Sequence, residues 1–160
     1  MWTANYVQSE VKRQHSTKFG EFEQALNLAK LTGHVHGPYE FVKFVQAIAA
    51  HVEPDVNVWR LAGDRYVNTR LSEVGFLHTV SQASPASEVQ HRFQRWCDAT
   101  WDVRDDGHIT LNIIEMLIKQ LLDIHPWADG NGRTASILRN WMLGTLDDPS
   151  PLPYYYGEWK

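Results

Sequence analysis

The apolar positions of this chain recur mostly at helical spacing. Over residues 16–31, Phe19, Phe22, Leu26 and Ala29 fall on one helical face, and Gly33 follows as a stop. Pro38 opens a second helix whose inner face carries Phe41, Phe44, Val45, Ile48 and Val52, and Pro54 ends it. Between 58 and 81 the pattern changes. Val58, Trp59, Tyr66, Val67, Phe76 and Val80 are β-formers, interrupted by Gly63-Asp64 and by residues 72–75, which predicts a β-hairpin. Helices resume after Pro85, with Val89, Phe93, Trp96 and Cys97 facing inward. Residues 109–125 carry the strongest pattern, with Ile113, Ile114, Leu117, Leu121 and Ile124 at i, i+3, i+4 spacing, and Pro126 breaks it. A last helix over about 132–145 buries Ile137, Leu138, Trp141 and Met142, and the Pro- and Tyr-rich tail, 149–160, is expected to pack irregularly. The expected fold is mainly α with a β-hairpin. We read it as a single domain over 1–160 with its core at about 38–145, the helix at 16–31 and the tail being extensions.

Composition narrows the function. The 160 residues hold 15 Lys+Arg against 19 Asp+Glu, a formal net charge of −4, which argues against broad nucleic-acid or anionic-membrane binding. No apolar run approaches the ~20 residues that span a bilayer, and residues 1–13 have no apolar core of the signal-peptide kind. Cys97 is the only cysteine, so an intramolecular disulfide and Cys-clustered metal sites are excluded. A cytoplasmic location is the expectation.

The chemistry concentrates in His125-Pro126-Trp127-Ala128-Asp129-Gly130-Asn131-Gly132-Arg133. A turn containing Asp-Gly-Asn-Gly is common between helices. A histidine at the end of one helix and an arginine at the start of the next make a plain turn a poor explanation. Residues 130–135 formally match GxGxxA, but a dinucleotide fingerprint follows a strand, and here a strong helix precedes it. No lysine completes a P-loop, and a calcium loop with Gly130 sixth would put His125, Trp127 and Ser136 at ligand positions. What remains is phosphate. Backbone N–H groups of residues 130–133 stand at a helix N-terminus, where unpaired donors and the dipole favour an anion, and glycine permits close approach. Arg133 adds charge-assisted hydrogen bonds, and Asp129 is a hard oxygen ligand suited to Mg²⁺. His125 stands at a helix C-terminus, where the dipole favours imidazolium. With an ordinary pKa near 6.5 it is about three-quarters neutral at pH 7 and can accept a proton. A base beside an anion cradle points to a hydroxyl attacking phosphorus.

Residues 125–133 resemble the signature of the Fic/Doc (Fido) family, H-P-F-x-[D/E]-G-N-G-R, with Trp127 in the Phe position. The layout over about 38–145, a helical domain with a hairpin upstream of the motif, is also similar to that family. The resemblance implies transfer of AMP, or a related phosphate-bearing group, from a nucleotide donor such as ATP to a Ser, Thr or Tyr hydroxyl of a protein. By position, His125 is then the general base, and Asp129 holds Mg²⁺ against the phosphates. Gly130, Asn131 and Gly132 form the anion hole, Arg133 contacts phosphate, and Trp127 anchors the loop. The hairpin at 66–80 corresponds to a flap on which the target docks by main-chain pairing. Toxin or effector roles and control by a separate antitoxin chain belong to the same family picture.

The chain departs from the family pattern at Ser136, where many adenylyl-transferring members have a second arginine for the terminal phosphate of ATP. One turn beyond Arg133, position 136 is expected to face the same site, whereas Arg139 is about two turns away. A donor without a γ-phosphate, such as a CDP-alcohol, therefore stands beside ATP, as do UMP transfer and a non-catalytic phosphate-binding module. Gly130 argues mildly against the phosphocholine branch, which tends to carry Ala there. The nearest match to the family's inhibitory helix is residues 17–21, Thr17 to Glu21, followed by Phe22 rather than Gly or Asn. His34 and His36 read as a polar loop, and Cys97 as inert core.

Overall fold

The helix read most strongly from sequence is α5, Leu111–Ile124. Thr110 caps it, its Oγ1 accepting the N–H of Ile113 at 3.3 Å, and Ile114, Leu117, Ile118, Leu121, Leu122 and Ile124 are buried. Truncating one such leucine to alanine costs about 2–5 kcal/mol. The computed structural model describes residues 3–55, 59–60, 67–71, 77–82, 84–107, 109–153, 156 and 158–159. Among these, six α-helices hold the fold. They are α1 (Thr3–Arg13), α2 (Phe19–Thr32), α3 (Pro38–Val52), α4 (Val89–Asp105), α5 and α6 (Asn131–Leu143).

Helix α6 is the axis. It packs against α1, α2, α3 and α5, and eleven of its thirteen residues are buried, polar ones included. A helix covered on all sides must be compatible with protein contacts all round, so its Asn, Arg, Thr and Ser side chains need internal partners. Large aromatics fill the space between α3, α4 and α6. Phe41 stacks on Trp96 and Trp141, with centroids 6.1 and 5.7 Å apart.

The two proline boundaries of α3 hold, with Pro38 following an extended Gly37 and the helix closing at Val52 before Glu53 and Pro54. Gly33 ends α2 in a positive-φ conformation (φ 65°). Strands β1 (Val67–Leu71) and β2 (Leu77–Gln82) pair antiparallel. Gly63-Asp64, Tyr66 and the 72–75 turn lie outside the described residues.

The sequence reading is corrected at both ends of the chain. Helix α1 was not anticipated, because it buries only Tyr6, Val7, Glu10 and Val11, two of them polar, and an apolar count underrates such a face. The helix expected over 16–31 begins at Phe19, since residues 14–18 turn across the motif instead. The tail is not wholly irregular. Leu152 and Tyr156 are buried, and β3 (Glu158–Trp159) pairs antiparallel with β1.

Candidate functional site

The motif is the link between α5 and α6, and its shape comes from side chains that hold the backbone. His125 caps α5 in the left-handed region (φ 51°, ψ 61°), which is costly for a residue with a Cβ. Its N–H donates to the Leu121 carbonyl at 3.0 Å. Its own carbonyl accepts Nε of Arg60 at 2.6 Å. Asn131 closes the turn behind it. Its Oδ1 accepts the N–H of Trp127 at 3.0 Å, and its Nδ2 donates to the Trp127 carbonyl at 2.8 Å. The Asn131 side chain is therefore committed to loop geometry, leaving backbone N–H groups as its means of meeting an anion. Trp127 is 1% exposed, edge-on to Phe93 at 5.5 Å, with Nε1 donating to Gln46 at 3.0 Å.

Two glycines are required by shape. Gly130 has φ 82°, and a Cβ there would lie 3.0 Å from side-chain carbons of both Glu53 and Val52. At Gly132 a Cβ would fall 2.0 Å from Oε1 of Gln14, so the 14–18 segment lies directly over the start of α6.

That segment makes one wall of a cleft of about 260 Å³, whose lining includes Gln14, Ser16, Lys18, Glu53, Asp129 and Arg133. Arg133 is buried at its base. It donates to Ser16 Oγ at 3.1 Å, to Glu53 Oε1 at 2.6 Å and to Asp129 Oδ1 at 3.4 Å. Glu53, also buried, accepts Lys18 Nζ on its other oxygen. Asp129 is the exposed member, with its side chain 64% accessible, and its Oδ1 also accepts the N–H of Gly130 at 2.7 Å. An accessible carboxylate beside backbone donors suits a small hard cation that also holds phosphate oxygens and water. No group of three or more His, Cys, Asp or Glu side chains that could hold a metal ion occurs among the described residues.

His125 does not line this cleft. The residue is 6% exposed, and its pKa is pushed down to about 4, first by burial and then by the positive charge of Arg60. Burial and the Arg60 charge thus set the net direction at this position, against the preference for imidazolium that a helix C-terminus alone would give. The ring is neutral throughout the physiological range.

Ser136 is the second correction. It is fully buried, and its Oγ shares a 2.7 Å hydrogen bond with the hydroxyl of Tyr6 on α1 rather than facing the cleft. The α1 helix occupies the flank of α6 that the sequence reading left open. Arg139 is directed elsewhere as well, pairing with Glu115 at 2.7 Å. Glu21 lies in the first turn of α2, while the buried carboxylate that meets the motif arginine is Glu53. Sequence inspection missed Glu53, Gln14 and Lys18, which carry no local signature. Arg60 had one faint mark, a lone charge in the apolar run of residues 58–61.

A family model described as the Fic/DOC family matches residues 6–143. No curated protein matches the chain. Among solved structures, a Fic domain containing signaling protein from Bacteroides thetaiotaomicron shares the fold, with a TM-score of 0.53 and 18% identity. That match covers 85% of this chain but 48% of the other, so the chain spans about half the length of that neighbour. No helix among the described residues is long and apolar enough to cross a membrane.

Proposed function

The chain belongs to the Fic/DOC family, and from that premise we propose that it transfers a phosphate-bearing group, AMP from ATP in the leading reading, to a hydroxyl of a protein target. The observation that carries the proposal is the pairing, within nine residues, of a neutral buried imidazole with an arginine-based phosphate cleft.

In this reading the attacking hydroxyl reaches His125, which accepts its proton as the oxygen bonds to the α-phosphorus. The bond to the bridging oxygen breaks, and pyrophosphate leaves. The N–H groups of residues 131–133 and the Arg133 guanidinium hold the phosphate oxygens, where negative charge builds in the transition state, while the Gly130 N–H orients Asp129. Asp129 is the residue that would hold Mg²⁺, which supplies charge neutralisation between phosphates. Glu53 keeps Arg133 extended towards the cleft, and Lys18 brings a further cation to the same wall. Target docking on the strand pair is part of the proposal. An extended segment adding to β2 would bring its hydroxyl towards the motif, and proline substitutions in β2 should impair target modification more than donor binding. Control by a separate antitoxin chain and a cytoplasmic site of action complete this reading.

Ser136 supports a second reading. With its hydroxyl bonded to Tyr6 and Arg139 bonded to Glu115, neither position offers the guanidinium expected for a γ-phosphate. A CDP-alcohol needs no such group. Incubation with cell lysate and ATP, UTP or CDP-choline in Mg²⁺, followed by mass spectrometry of modified peptides, separates these donors. Modification by none of the three, with the protein folded, would refute transfer from these donors.

A further inference from the structure

Arg60 lies outside the motif and outside every helix, yet it binds the backbone on which His125 sits. Its Nε donates to the His125 carbonyl at 2.6 Å, and one Nη donates to the Ile124 carbonyl at 2.9 Å and to the carbonyl of Ser84. Its backbone N–H donates to the Pro126 carbonyl at 3.0 Å. Three consecutive carbonyls, of residues 124, 125 and 126, are thus taken by one residue that is itself 4% exposed.

We propose that Arg60 is a positioning residue for the transfer reaction, fixing the backbone of residues 124–126 so that His125 keeps the left-handed conformation that sets the direction of its ring. This rests on the transfer reading given above. A left-handed residue with a Cβ is unfavourable, and the following proline restricts it further, so the conformation must be held from outside. The end of α5 leaves carbonyls without intrahelical partners and carries the negative end of the helix dipole, and a planar guanidinium can bridge several of them at once. An ammonium is a point donor and cannot span the same set.

The charge on Arg60 has a second consequence, because it opposes protonation of the ring. Among the described residues, the other charged groups on the surrounding elements include Asp123, which pairs with Lys119 at 3.3 Å, Arg92, which donates to Ser84 Oγ at 2.9 Å and pairs with Glu88, and the Asp129–Arg133–Glu53 set in the cleft. Arg60 is thus placed to govern both the orientation and the neutrality of the base.

The test uses the full chain with Arg60→Gln and Arg60→Lys. The His125 ring is titrated by NMR, with its signal assigned by its loss in His125→Asn, and kcat and donor KM are measured in parallel. The wild-type ring should stay neutral from pH 8 to pH 5. In Arg60→Gln the midpoint should rise, and kcat should fall by about 10²-fold, the scale of an ångström-level misplacement, with donor KM unchanged. Arg60→Lys should keep the low midpoint, since the cation is retained, but recover only part of kcat. An unchanged midpoint together with unchanged kcat in Arg60→Gln overturns the proposal. If that variant does not fold, Arg60→Lys decides, because full kcat there shows that the bridging guanidinium is not needed. The titration requires no donor. A wild type that transfers nothing, yet has a low midpoint that depends on Arg60, refutes the transfer reading and leaves the clamp standing.

Discussion

The two ends of the motif, eight residues apart in sequence, are opposite environments. At the His125 end the side chain is buried and uncharged, and the backbone is pinned by Arg60. At the Arg133 end a buried guanidinium meets one buried and one exposed carboxylate, and a lysine completes the chain of charges. A proton acceptor works best when it is not already protonated, and an anion cradle works best when its cations are fixed before the ligand arrives. One loop meets both needs by burying its ends in different company.

The sharpest way to break this comparison is His125→Ala. Transfer should fall roughly 10²–10⁴-fold, because the general base is lost, while donor affinity measured by calorimetry should hold. Since His125 does not line the cleft, a collapse of donor binding would mean that the two ends are not separate. Near-normal transfer would remove the residue from its role.

The cradle end is expected to answer in stability. Arg133→Ala leaves Glu53 as a buried carboxylate with Lys18 as its remaining ion-pair partner, and breaking such a pair from one side costs about 3–5 kcal/mol. The shared lysine places the expected loss near about 3 kcal/mol. The double variant Arg133→Met with Glu53→Leu should recover most of it, because apolar groups of similar volume need no partner. Urea denaturation at pH 7 measures all three proteins. A double variant no more stable than the single would show that the arginine holds the fold through its other bonds, to Ser16 and the Val52 carbonyl.

How far the chain could be read in advance follows the same division. The helices with wide apolar faces, α3, α4 and α5, are visible because burial of Phe41, Phe93 or Leu117 recurs with the helical period. Helix α1 is not, because half of what it buries is polar, a tyrosine hydroxyl bonded to Ser136 and a carboxylate held by Arg13 and by Leu152 far along the chain. Glu10 takes the N–H of Leu152 at 3.3 Å, and its pKa is raised by burial ahead of the opposing effect of Arg13. The motif itself is legible because its chemistry is contiguous. Arg60 and Glu53 are not, because each acts on the motif from 65 and 80 positions away, through a carbonyl in one case and an ion pair in the other.

The buried end should also show itself in pH dependence. His125 titrates near 6.5 when unfolded and about 4 when folded, so between those values the unfolded state binds more protons. Its contribution is complete above about pH 6.5 and is lost as pH falls towards 4, by on the order of 3 kcal/mol in total. Glu10 has the opposite sign, since a raised carboxylate pKa gives stability that is full at low pH and lost as pH rises through the folded value. Comparing wild type with His125→Asn cancels Glu10 and isolates the histidine. The wild type should lose more stability between pH 7 and pH 4.5 than the variant. Equal losses would place the ring in water. The acid limb of kcat/KM should likewise fall near pH 4 rather than pH 6.5.

The smallest effect is expected at Ser136, and it tests where the cleft ends. Sequence spacing alone makes Ser136→Arg a route to tighter ATP binding, through a guanidinium one turn beyond Arg133. The structure reverses that expectation. The Ser136 side chain is fully buried against Tyr6, so an arginine there would have to displace α1 before it reached any phosphate, and ATP affinity should not rise. Ser136→Ala is the milder probe. It removes the 2.7 Å bond to the Tyr6 hydroxyl and leaves that group with the weaker 3.4 Å contact from Asn140. A buried hydroxyl that loses a partner costs about 1–3 kcal/mol, and the surviving contact puts the expected loss near about 1 kcal/mol. Donor affinity should be unchanged in the alanine variant, since position 136 belongs to the packing of α1 on α6. If calorimetry instead gives tenfold tighter ATP binding for Ser136→Arg, α1 yields easily and the phosphate cleft extends along α6. The boundary between core and cradle would then lie one turn further from Arg133.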